Sequence, residues 1–163
     1  MRTAAVLTVS DSSARGERAD ISGPATADFL RQHGFQVRHQ EIVADDRSTI
    51  ESTLVRLSEE VQLVVTTGGT GISSRDVTPE ATLAVCSRLI EGIPERMRAA
   101  GLARTPYAIL SRGICGVRGR SLILNLPGSP KGAIESLRAV LCILPHALDL
   151  LAGKTSHDEM NNP

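Results

Sequence analysis

The apolar positions of the chain form short continuous runs, separated by stretches in which they recur every three or four residues. The runs that have the character of β-strands lie at residues 3–10, 35–43, 61–67, 107–111 and 120–126. Unbroken apolar runs bounded by glycine or polar residues are typical of strands that are buried on both faces of a sheet. The run at 35–43 alternates apolar and polar residues instead, which predicts a strand near an edge with one exposed face.

The stretches with helical spacing predict helices at residues 24–34, 48–60, 78–90, 92–104 and 129–153, and residues 11–23 are predicted to form a polar loop. Thr78 and Ser129 each precede a proline, and together with Ser48 they stand where an N-cap is expected. The last helix is expected to kink or break at Pro145, because proline lacks the amide proton that a helix interior requires.

Strands and helices alternate along nearly the whole chain, which predicts an α/β fold with a mostly parallel sheet. The 163 residues contain no internal repeat and no linker-like stretch, so residues 1–153 are predicted to form a single domain. The polar residues 154–163 are expected to form a tail.

Composition predicts a soluble cytoplasmic protein that binds neither nucleic acid nor membranes. The 18 lysine and arginine residues balance 18 aspartate and glutamate residues, so there is no general attraction to nucleic acid or anionic lipid. The cysteines at positions 86, 115 and 142 follow neither a metal-ligand spacing nor a disulfide framework, which fits a reducing compartment. No apolar run approaches the roughly 20 residues of a membrane span, and the N-terminus does not resemble a signal peptide.

The loops that follow the strands are the candidate site, because open α/β sheets bind ligands beyond the carboxyl ends of their strands. These loops begin at Ser10, Val43, Thr66, Leu110 and Leu126. Their glycine, hydroxyl and carboxylate residues predict one polar site at that end of the sheet.

The loop Gly68-Gly69-Thr70-Gly71 offers consecutive backbone amides that few side chains cover. Glycine permits the dihedral angles and the close approach that are needed to wrap an anion. The alternative is a tight strand-to-helix turn, which needs fewer glycines. Neither the lysine of a P-loop nor the last glycine of a dinucleotide-binding fingerprint follows, so these two nucleotide-binding motifs are excluded.

Two aspartates are expected beside that loop. Asp76 follows Gly71 ahead of the predicted helix start, and Asp45 follows the second strand at the same end of the sheet. A carboxylate next to a phosphate-binding loop repels the ligand unless a cation lies between them, and Mg²⁺ combines few protein carboxylates with phosphate oxygens. Asp45 and Asp76 are therefore candidate Mg²⁺ ligands, with helix capping as the alternative for Asp76. Asp46 is interpreted as a loop residue or a helix cap.

The other loops add hydroxyls and anion contacts. Ser10 and Asp11 end the first strand and suit a ribose or a pterin-type amide. The loop with Ser111 and Arg112 and the Pro-Gly-Ser turn at residues 127–129 end two later strands. The turn brings Ser129 to a helix N-terminus, where anions bind readily. Taken singly, each of these two segments could also be an ordinary strand-to-helix turn.

Four segments, LTVSDS, TTGGTGISSRDVTPEAT, LSRGICGVRG and LILNLPGSPKGAIESL, together resemble the molybdopterin adenylyltransferase family. This family includes MogA, MoaB and the G domain of gephyrin. The likeness runs in consistent order from about residue 4 to residue 153. TTGGTG followed by RDVTPEA is specific to this family and its relatives. The segment LPGSPKG makes the resemblance to the family itself more specific.

The resemblance implies the reaction of molybdopterin with ATP to give adenylylated molybdopterin and pyrophosphate, with Mg²⁺ required, in molybdenum cofactor biosynthesis. It implies a homotrimer of three-layer α/β/α subunits, with the molybdenum-insertion protein as a candidate partner. Such a transfer needs positioning and charge stabilisation rather than a covalent protein nucleophile, and Arg75 or Arg112 could supply charge.

By position, Asp45 and Asp76 match the two functional aspartates of the family and are expected to be catalytic. The residues that match its nucleotide and pterin pocket, or that complete the predicted binding set, are Ser10, Asp11, Gly68, Gly69, Thr70, Gly71, Ser111, Arg112, Pro127, Gly128 and Ser129. Ala44 departs from the family pattern, because relatives often have proline there. No segment corresponds to the molybdenum-insertion domain of the eukaryotic fusions, so the chain is not expected to insert the metal.

Three other functions are alternatives to this reaction. A non-catalytic molybdopterin carrier or scaffold would keep the pterin pocket but would not need both Asp45 and Asp76. The related domain of nicotinamide-nucleotide recycling enzymes shares the glycine loop, but the LSRGICGVRG and LPGSPKG segments argue against it. The chain contains no motif that indicates a pure interaction protein.

Overall fold

The computed structural model describes residues 1–154, in which strands and helices alternate. The strands are β1 Arg2–Val9, β2 Phe35–Val43, β3 Leu63–Thr67, β4 Arg88–Leu89, β5 Cys115–Arg118 and β6 Ser121–Leu126. The α-helices are α1 Asp11–Ala14, α2 Ser22–Gln32, α3 Arg47–Glu60, α4 Thr78–Val85, α5 Gly92–Leu102, α6 Pro130–Val140 and α7 Leu144–Leu151. A 3₁₀ helix, Pro106–Leu110, lies between α5 and β5.

The strands form one six-stranded sheet in the order β2-β1-β3-β6-β5-β4. The first four strands in that order run parallel, while β5 is antiparallel to β6 and β4 is antiparallel to β5. β2 lies at an edge, as its alternating pattern predicts. The predicted α/β class with a mostly parallel sheet is confirmed.

Helices cover both faces of the sheet because the central strands are apolar on both sides. In β1, Ala4 and Val6 belong to one apolar cluster and Ala5 and Leu7 to another, since successive side chains of a strand point to opposite faces. The first cluster includes residues of α2, α5, α6 and α7, and the second includes residues of α3 and α4. The helices therefore form two layers around the sheet, and the expected three-layer arrangement is confirmed.

The strand predicted at residues 107–111 is wrong, because the segment forms the 3₁₀ helix. Thr105 caps this helix by accepting a hydrogen bond from the Tyr107 amide at 3.3 Å, and Pro106 fits the first helical positions. Tyr107 is 75% exposed and Ile109 is 61% exposed, so these apolar residues do not belong to a buried strand.

The sequence pattern does not predict β4 and β5, and the helix predicted at residues 78–90 is too long. Gly116 weakens the strand signal of β5, because glycine is unfavourable in strands. The lack of a side chain nevertheless suits the close pairing with β4, since a Cβ at Gly116 would lie 3.3 Å from the carbonyl oxygen of Arg88. The chain leaves α4 after Val85 because the Ser87 amide bonds to the Val117 carbonyl at 2.8 Å. Pairing with a distant strand thus ends the helix early.

The helix predicted at residues 129–153 breaks into α6 and α7 ahead of Pro145, and Ser129 caps α6, both as predicted. For α3 the predicted cap Ser48 is wrong. Asp46 is the N-cap, accepting a hydrogen bond from the Thr49 amide at 2.9 Å, so helix capping is its role. Residues 11–23, predicted as a polar loop, contain the short helix α1 and the start of α2.

The predicted tail lies outside the described residues from position 155 onward. The single domain over residues 1–153 stays a prediction. In the described part of the chain, none of the helices has the length and apolar character that a membrane span requires.

Candidate active site

The glycine loop leaves β3 in a conformation that glycine adopts readily and other residues do not. The φ angle is 93° at Gly68 and 65° at Gly69, in the left-handed region. A Cβ at Gly68 would also collide with the carbonyl oxygen of Val9 on the neighbouring strand β1. The path of the backbone therefore requires glycine at both positions.

The amides of this loop have different surroundings. Gly68 donates its amide hydrogen to the Leu126 carbonyl at 3.2 Å, so this amide belongs to the end of the sheet. Among residues 1–154, the amides of Gly69, Thr70 and Gly71 donate no hydrogen bond to another protein group. Consecutive amides of this kind are the donors from which backbone anion sites are built.

The prediction that Thr78 caps α4 is wrong, because the N-cap position is occupied by Val77. The Thr78 hydroxyl instead donates to the Gly68 carbonyl at 3.0 Å, and the Thr78 amide donates to the Gly69 carbonyl at 3.1 Å. These bonds fix the loop against the start of α4, so the loop carbonyls are held by Thr78.

Asp45 and Asp11 connect the loops that follow β2 and β1. The Asp11 amide donates to Asp45 Oδ2 and the Asp45 amide donates to Asp11 Oδ1, both at 2.9 Å. Arg75 donates to Asp11 Oδ2 from Nη2 at 2.6 Å and from Nε at 3.1 Å. The hydrogen bond from Arg75 is the main cause that lowers the pKa of Asp11. Ser10, just before this pair, caps α1 by accepting the Ser13 amide.

Asp76 lies beside the last glycine of the loop. Its Oδ2 accepts a hydrogen bond from the Ser73 amide at 2.9 Å, and it makes no capping bond to α4, so the capping alternative is wrong. A Cβ at Gly71 would be 2.8 Å from Asp76 Oδ2, and one at Gly69 would be 3.3 Å from Asp45 Oδ1. Glycine thus allows both carboxylates to approach the loop backbone.

The donor chemistry of the two carboxylates fits Mg²⁺. Burial raises the pKa of Asp45, and the negative charges of Asp11 and Asp76 raise it further, which a divalent cation would offset. Mg²⁺ is usually bound by one or two carboxylates, with substrate phosphates and water as further ligands. Within residues 1–154 no group of three or more His, Cys, Asp or Glu side chains could hold a metal, so a bound substrate would have to supply ligands.

Replacing Asp45 with asparagine is expected to raise the melting temperature at pH 7. The amide oxygen can still accept the Asp11 amide hydrogen but carries no charge. Because the folded-state pKa of Asp45 is raised, ionisation costs stability above the unfolded-state pKa of about 3.9, and this cost disappears below it. Thermal unfolding in chelator should therefore show an advantage of Asp45→Asn at pH 7 that vanishes toward pH 3. A lower melting temperature than wild type at pH 7 would contradict the pKa assignment.

Arg112 connects the segment after the 3₁₀ helix to the glycine loop. Its Nε donates to the Gly71 carbonyl at 2.8 Å, its Nη2 donates to the Asp76 carbonyl at 2.9 Å, and its Nη1 donates to the Glu80 carboxylate. The Arg112 amide donates to the Thr70 carbonyl at 2.8 Å. These bonds bring residues 111–113 into the site, although the segment does not follow a strand.

The turn at residues 127–129 packs against the glycine loop and lines two cavities. A Cβ at Gly128 would lie 3.2 Å from the Gly68 Cα. The smaller cavity, of about 220 Å³, is lined by Ser111, Pro127 and Ser129 together with apolar side chains. The larger cavity, of about 430 Å³, is lined by Ser10, Gly68, Gly128 and Ser129 among others. Asp45 and Asp76 lie beside the loop rather than in either wall.

Asp20 is a site residue that the sequence reasoning missed. It lies in the wall of the larger cavity, accepts a hydrogen bond from the Thr8 hydroxyl at 2.6 Å, and accepts another from the Gly23 amide at 2.9 Å. The accepted amide lies in the first turn of α2, three residues after Asp20, and the N-cap of this helix is Ile21. An aspartate three residues before a helical amide could have indicated this fixed position.

Comparisons with known proteins show the family of the chain. The sequence profile of a family described as a probable molybdopterin binding domain matches residues 5–146. The molybdopterin adenylyltransferase of Helicobacter pylori strain J99 is 46% identical, over 91% of this chain and 86% of its own length.

Solved structures give the same result. The molybdopterin biosynthesis enzyme MoaB from Thermus thermophilus has a TM-score of 0.89 and 51% identity, covering 94% of this chain and 98% of that chain. The molybdopterin biosynthesis Mog protein from Mycobacterium ulcerans has a TM-score of 0.85 and 41% identity, covering 93% and 99%. The profile match spans the glycine loop, both aspartates and the turn at residues 127–129. The resemblance found in the sequence is thus confirmed, and the chain belongs to the molybdopterin adenylyltransferase family.

Proposed function

We propose that the chain transfers AMP from ATP to molybdopterin, with release of pyrophosphate, in molybdenum cofactor biosynthesis. The observation that carries this proposal is the approach of two carboxylates to one glycine loop. Asp45 Oδ1 lies 3.3 Å from where a Gly69 Cβ would stand, and Asp76 Oδ2 lies 2.8 Å from where a Gly71 Cβ would stand. The family to which the chain belongs supports the same reaction.

In this reaction a phosphate oxygen of molybdopterin forms a bond to the α-phosphorus of ATP while the bond from that phosphorus to the leaving pyrophosphate breaks. The amides of Gly69, Thr70 and Gly71 would donate to the phosphate oxygens on which negative charge develops. Mg²⁺, held by Asp45 and Asp76, would neutralise part of the phosphate charge. The remaining contribution of the chain is to orient the two substrates.

The two cavities support a reaction between two substrates. Both share Ser129, and the turn that separates them touches the glycine loop. Substrates that occupied one cavity each would therefore both lie beside Ser129. The smaller cavity has an apolar part, with Pro94 and Met97, whereas the larger one contains Asp20 and Arg18.

The test is an assay of AMP transfer with ATP labelled at the α-phosphate. Label should enter molybdopterin and unlabelled pyrophosphate should accumulate in equal amount, and EDTA should stop both. ATP labelled at the γ-phosphate is the control, because its label should appear only in pyrophosphate. Tight binding of molybdopterin without AMP transfer would contradict the proposal and would favour the carrier or scaffold function.

We further propose that the chain acts as a homotrimer in the cytoplasm and passes its product to a protein that inserts molybdenum. Exposed apolar side chains support assembly, since Ile72 is 72% exposed and Tyr107 is 75% exposed. The free thiols of Cys86, Cys115 and Cys142 fit a reducing compartment. Light scattering that gives the mass of a monomer would contradict the trimer.

A further inference from the structure

One side chain holds both ends of the exposed loop between the glycine loop and α4. The carbonyls of Gly71 and Asp76 accept hydrogen bonds from Arg112 Nε at 2.8 Å and Nη2 at 2.9 Å. The residues between them, 72–75, are all exposed. The backbone on both sides of this loop is therefore fixed by a residue from a different part of the chain.

The support that the loop provides for itself is small. Asp76 Oδ2 accepts the Ser73 amide at 2.9 Å, and the Asp76 amide donates to the Ser73 carbonyl at 3.0 Å. These bonds lie within one short turn, so they fix the carboxylate relative to the turn but not relative to the glycine loop. The bonds of Thr78 to Gly68 and Gly69 and those of Arg75 to Asp11 also anchor this region. The Arg112 guanidinium adds the contact that joins Gly71 directly to Asp76.

We propose that Arg112 is a positioning residue that sets the place of the Asp76 carboxylate beside the glycine loop, with Glu80 as its counter-ion. This inference rests on the proposed function, because it concerns a carboxylate of the same site. It differs from the nucleotide contact predicted for Arg112 from the sequence.

Arginine suits this role better than lysine. The guanidinium is planar and donates from three nitrogens in fixed directions, whereas an ammonium group acts as a single charge. Glu80 lies in the first turn of α4, where the helix dipole favours a negative charge and so stabilises the counter-ion. The hydrogen bond from Arg112 is the main cause that lowers the pKa of Glu80, so this residue stays ionised beside the arginine at neutral pH.

Arg112 also connects the smaller cavity to this loop. Its neighbours Ser111 and Gly113 line that cavity, and their carbonyls accept hydrogen bonds from Arg98 Nη1 at 3.4 and 3.2 Å. The segment that carries Arg112 is therefore held from α5 on one side and bonded to the glycine loop on the other. A displacement of this segment would reach Asp76 through the guanidinium.

The test compares Arg112→Lys and Glu80→Gln with wild type. Arg112→Lys should lower kcat about tenfold to a hundredfold, because a misplaced catalytic group has effects of that size, while both KM values stay within about twofold. The Mg²⁺ concentration that gives half-maximal rate should rise. Hydrogen–deuterium exchange of residues 71–77 should become faster in both variants, and Glu80→Gln should show the kinetic changes to a smaller degree.

Arg118→Lys is the matched control. Arg118 donates from Nη1 to the Val85 carbonyl at 3.0 Å, at the opposite end of α4. The substitution removes a similar arginine–carbonyl bond from the same helix without touching the segment 71–76. Its kcat, its Mg²⁺ dependence and the exchange of residues 71–77 should match wild type.

Three results would overturn the proposal. Unchanged kcat and Mg²⁺ dependence in Arg112→Lys would show that Asp76 does not depend on Arg112. A rise in KM for ATP or molybdopterin at constant kcat would show that Arg112 binds substrate. If Arg112→Lys does not fold, Glu80→Gln decides, and wild-type kinetics and exchange in that variant would reject the role. A wild-type chain without AMP transfer would contradict the proposed function alone, because exchange at residues 71–77 would still report on the positioning.

Discussion

Asp76→Asn is expected to lower AMP transfer to molybdopterin at least about a hundredfold while the protein keeps its fold. Asparagine has nearly the shape of aspartate, and its amide oxygen can still accept the Ser73 amide that Asp76 Oδ2 now accepts at 2.9 Å. The substitution therefore removes the charge next to the glycine loop and little else. The rate of AMP transfer at saturating Mg-ATP measures the effect, and thermal unfolding checks the fold.

Asp46→Asn is the matched control for that prediction. Asp46 precedes α3 and accepts hydrogen bonds from the Thr49 amide and the Ser48 hydroxyl, both at 2.9 Å. Asparagine is an equally good N-cap, so the structure should not change. The variant therefore loses one negative charge at the position next to Asp45. We expect its AMP transfer to be close to wild type. A near-normal rate in Asp76→Asn, or an equal loss in both variants, would contradict a specific role for Asp76.

Gly69→Ala should produce the second large loss, at least about tenfold in AMP transfer. The new Cβ would collide with Thr78 Oγ1 and would lie 3.3 Å from Asp45 Oδ1. Because the Thr78 hydroxyl and amide hold the loop carbonyls, relief of the collision must move either this anchor or the loop amides. We expect a weaker apparent affinity for Mg-ATP in the same assay, since the amides proposed to bind phosphate would be displaced.

Gly34→Ala is the control that separates the effect of the collision from the effect of backbone strain. Gly34 has a φ of 84°, in the same left-handed region as Gly69 at 65°, but a Cβ there would meet no atom within 4 Å. Each alanine should cost roughly 1–2 kcal/mol of stability from the left-handed backbone. Thermal unfolding should therefore show a loss in both variants, while AMP transfer falls only in Gly69→Ala. Equal activity in the two variants would mean that the glycine loop does not bind the nucleotide.

The parallel half of the sheet could be predicted because its signal is local. β1, β3 and β6 are mostly apolar runs, and their burial follows from the sequence alone. β4 could not be predicted, since its two residues are exposed and become a strand only by pairing with β5. The segment 107–111 was wrongly predicted to be a strand because its apolar residues are exposed rather than buried. A pattern of apolar residues does not tell a buried strand from an exposed surface.

The candidate site also contains residues that the sequence could predict and residues that it could not. The glycine loop and Asp45 could be expected at one end of the sheet, because both follow parallel strands. The side-chain bonds of Arg112 could not, since they join residues as far apart as 41 positions, and the segment that carries them follows a 3₁₀ helix. Asp20 was missed because the Gly23 amide that bonds to it lies in a stretch interpreted as a loop. The roles of these residues in binding and catalysis stay predictions.

The strand order itself creates the larger cavity, whose wall includes the ends of β1 and β3. β1 and β3 are neighbours, but the chain continues from β1 to α2 over one face and from β3 to α4 over the other. Diverging connections leave a crevice between the strand ends. The opening is thus a product of topology, and the side chains at its rim decide only which molecule enters. Rim residues could therefore be exchanged for a different phosphate-bearing ligand without repacking of the apolar clusters beneath.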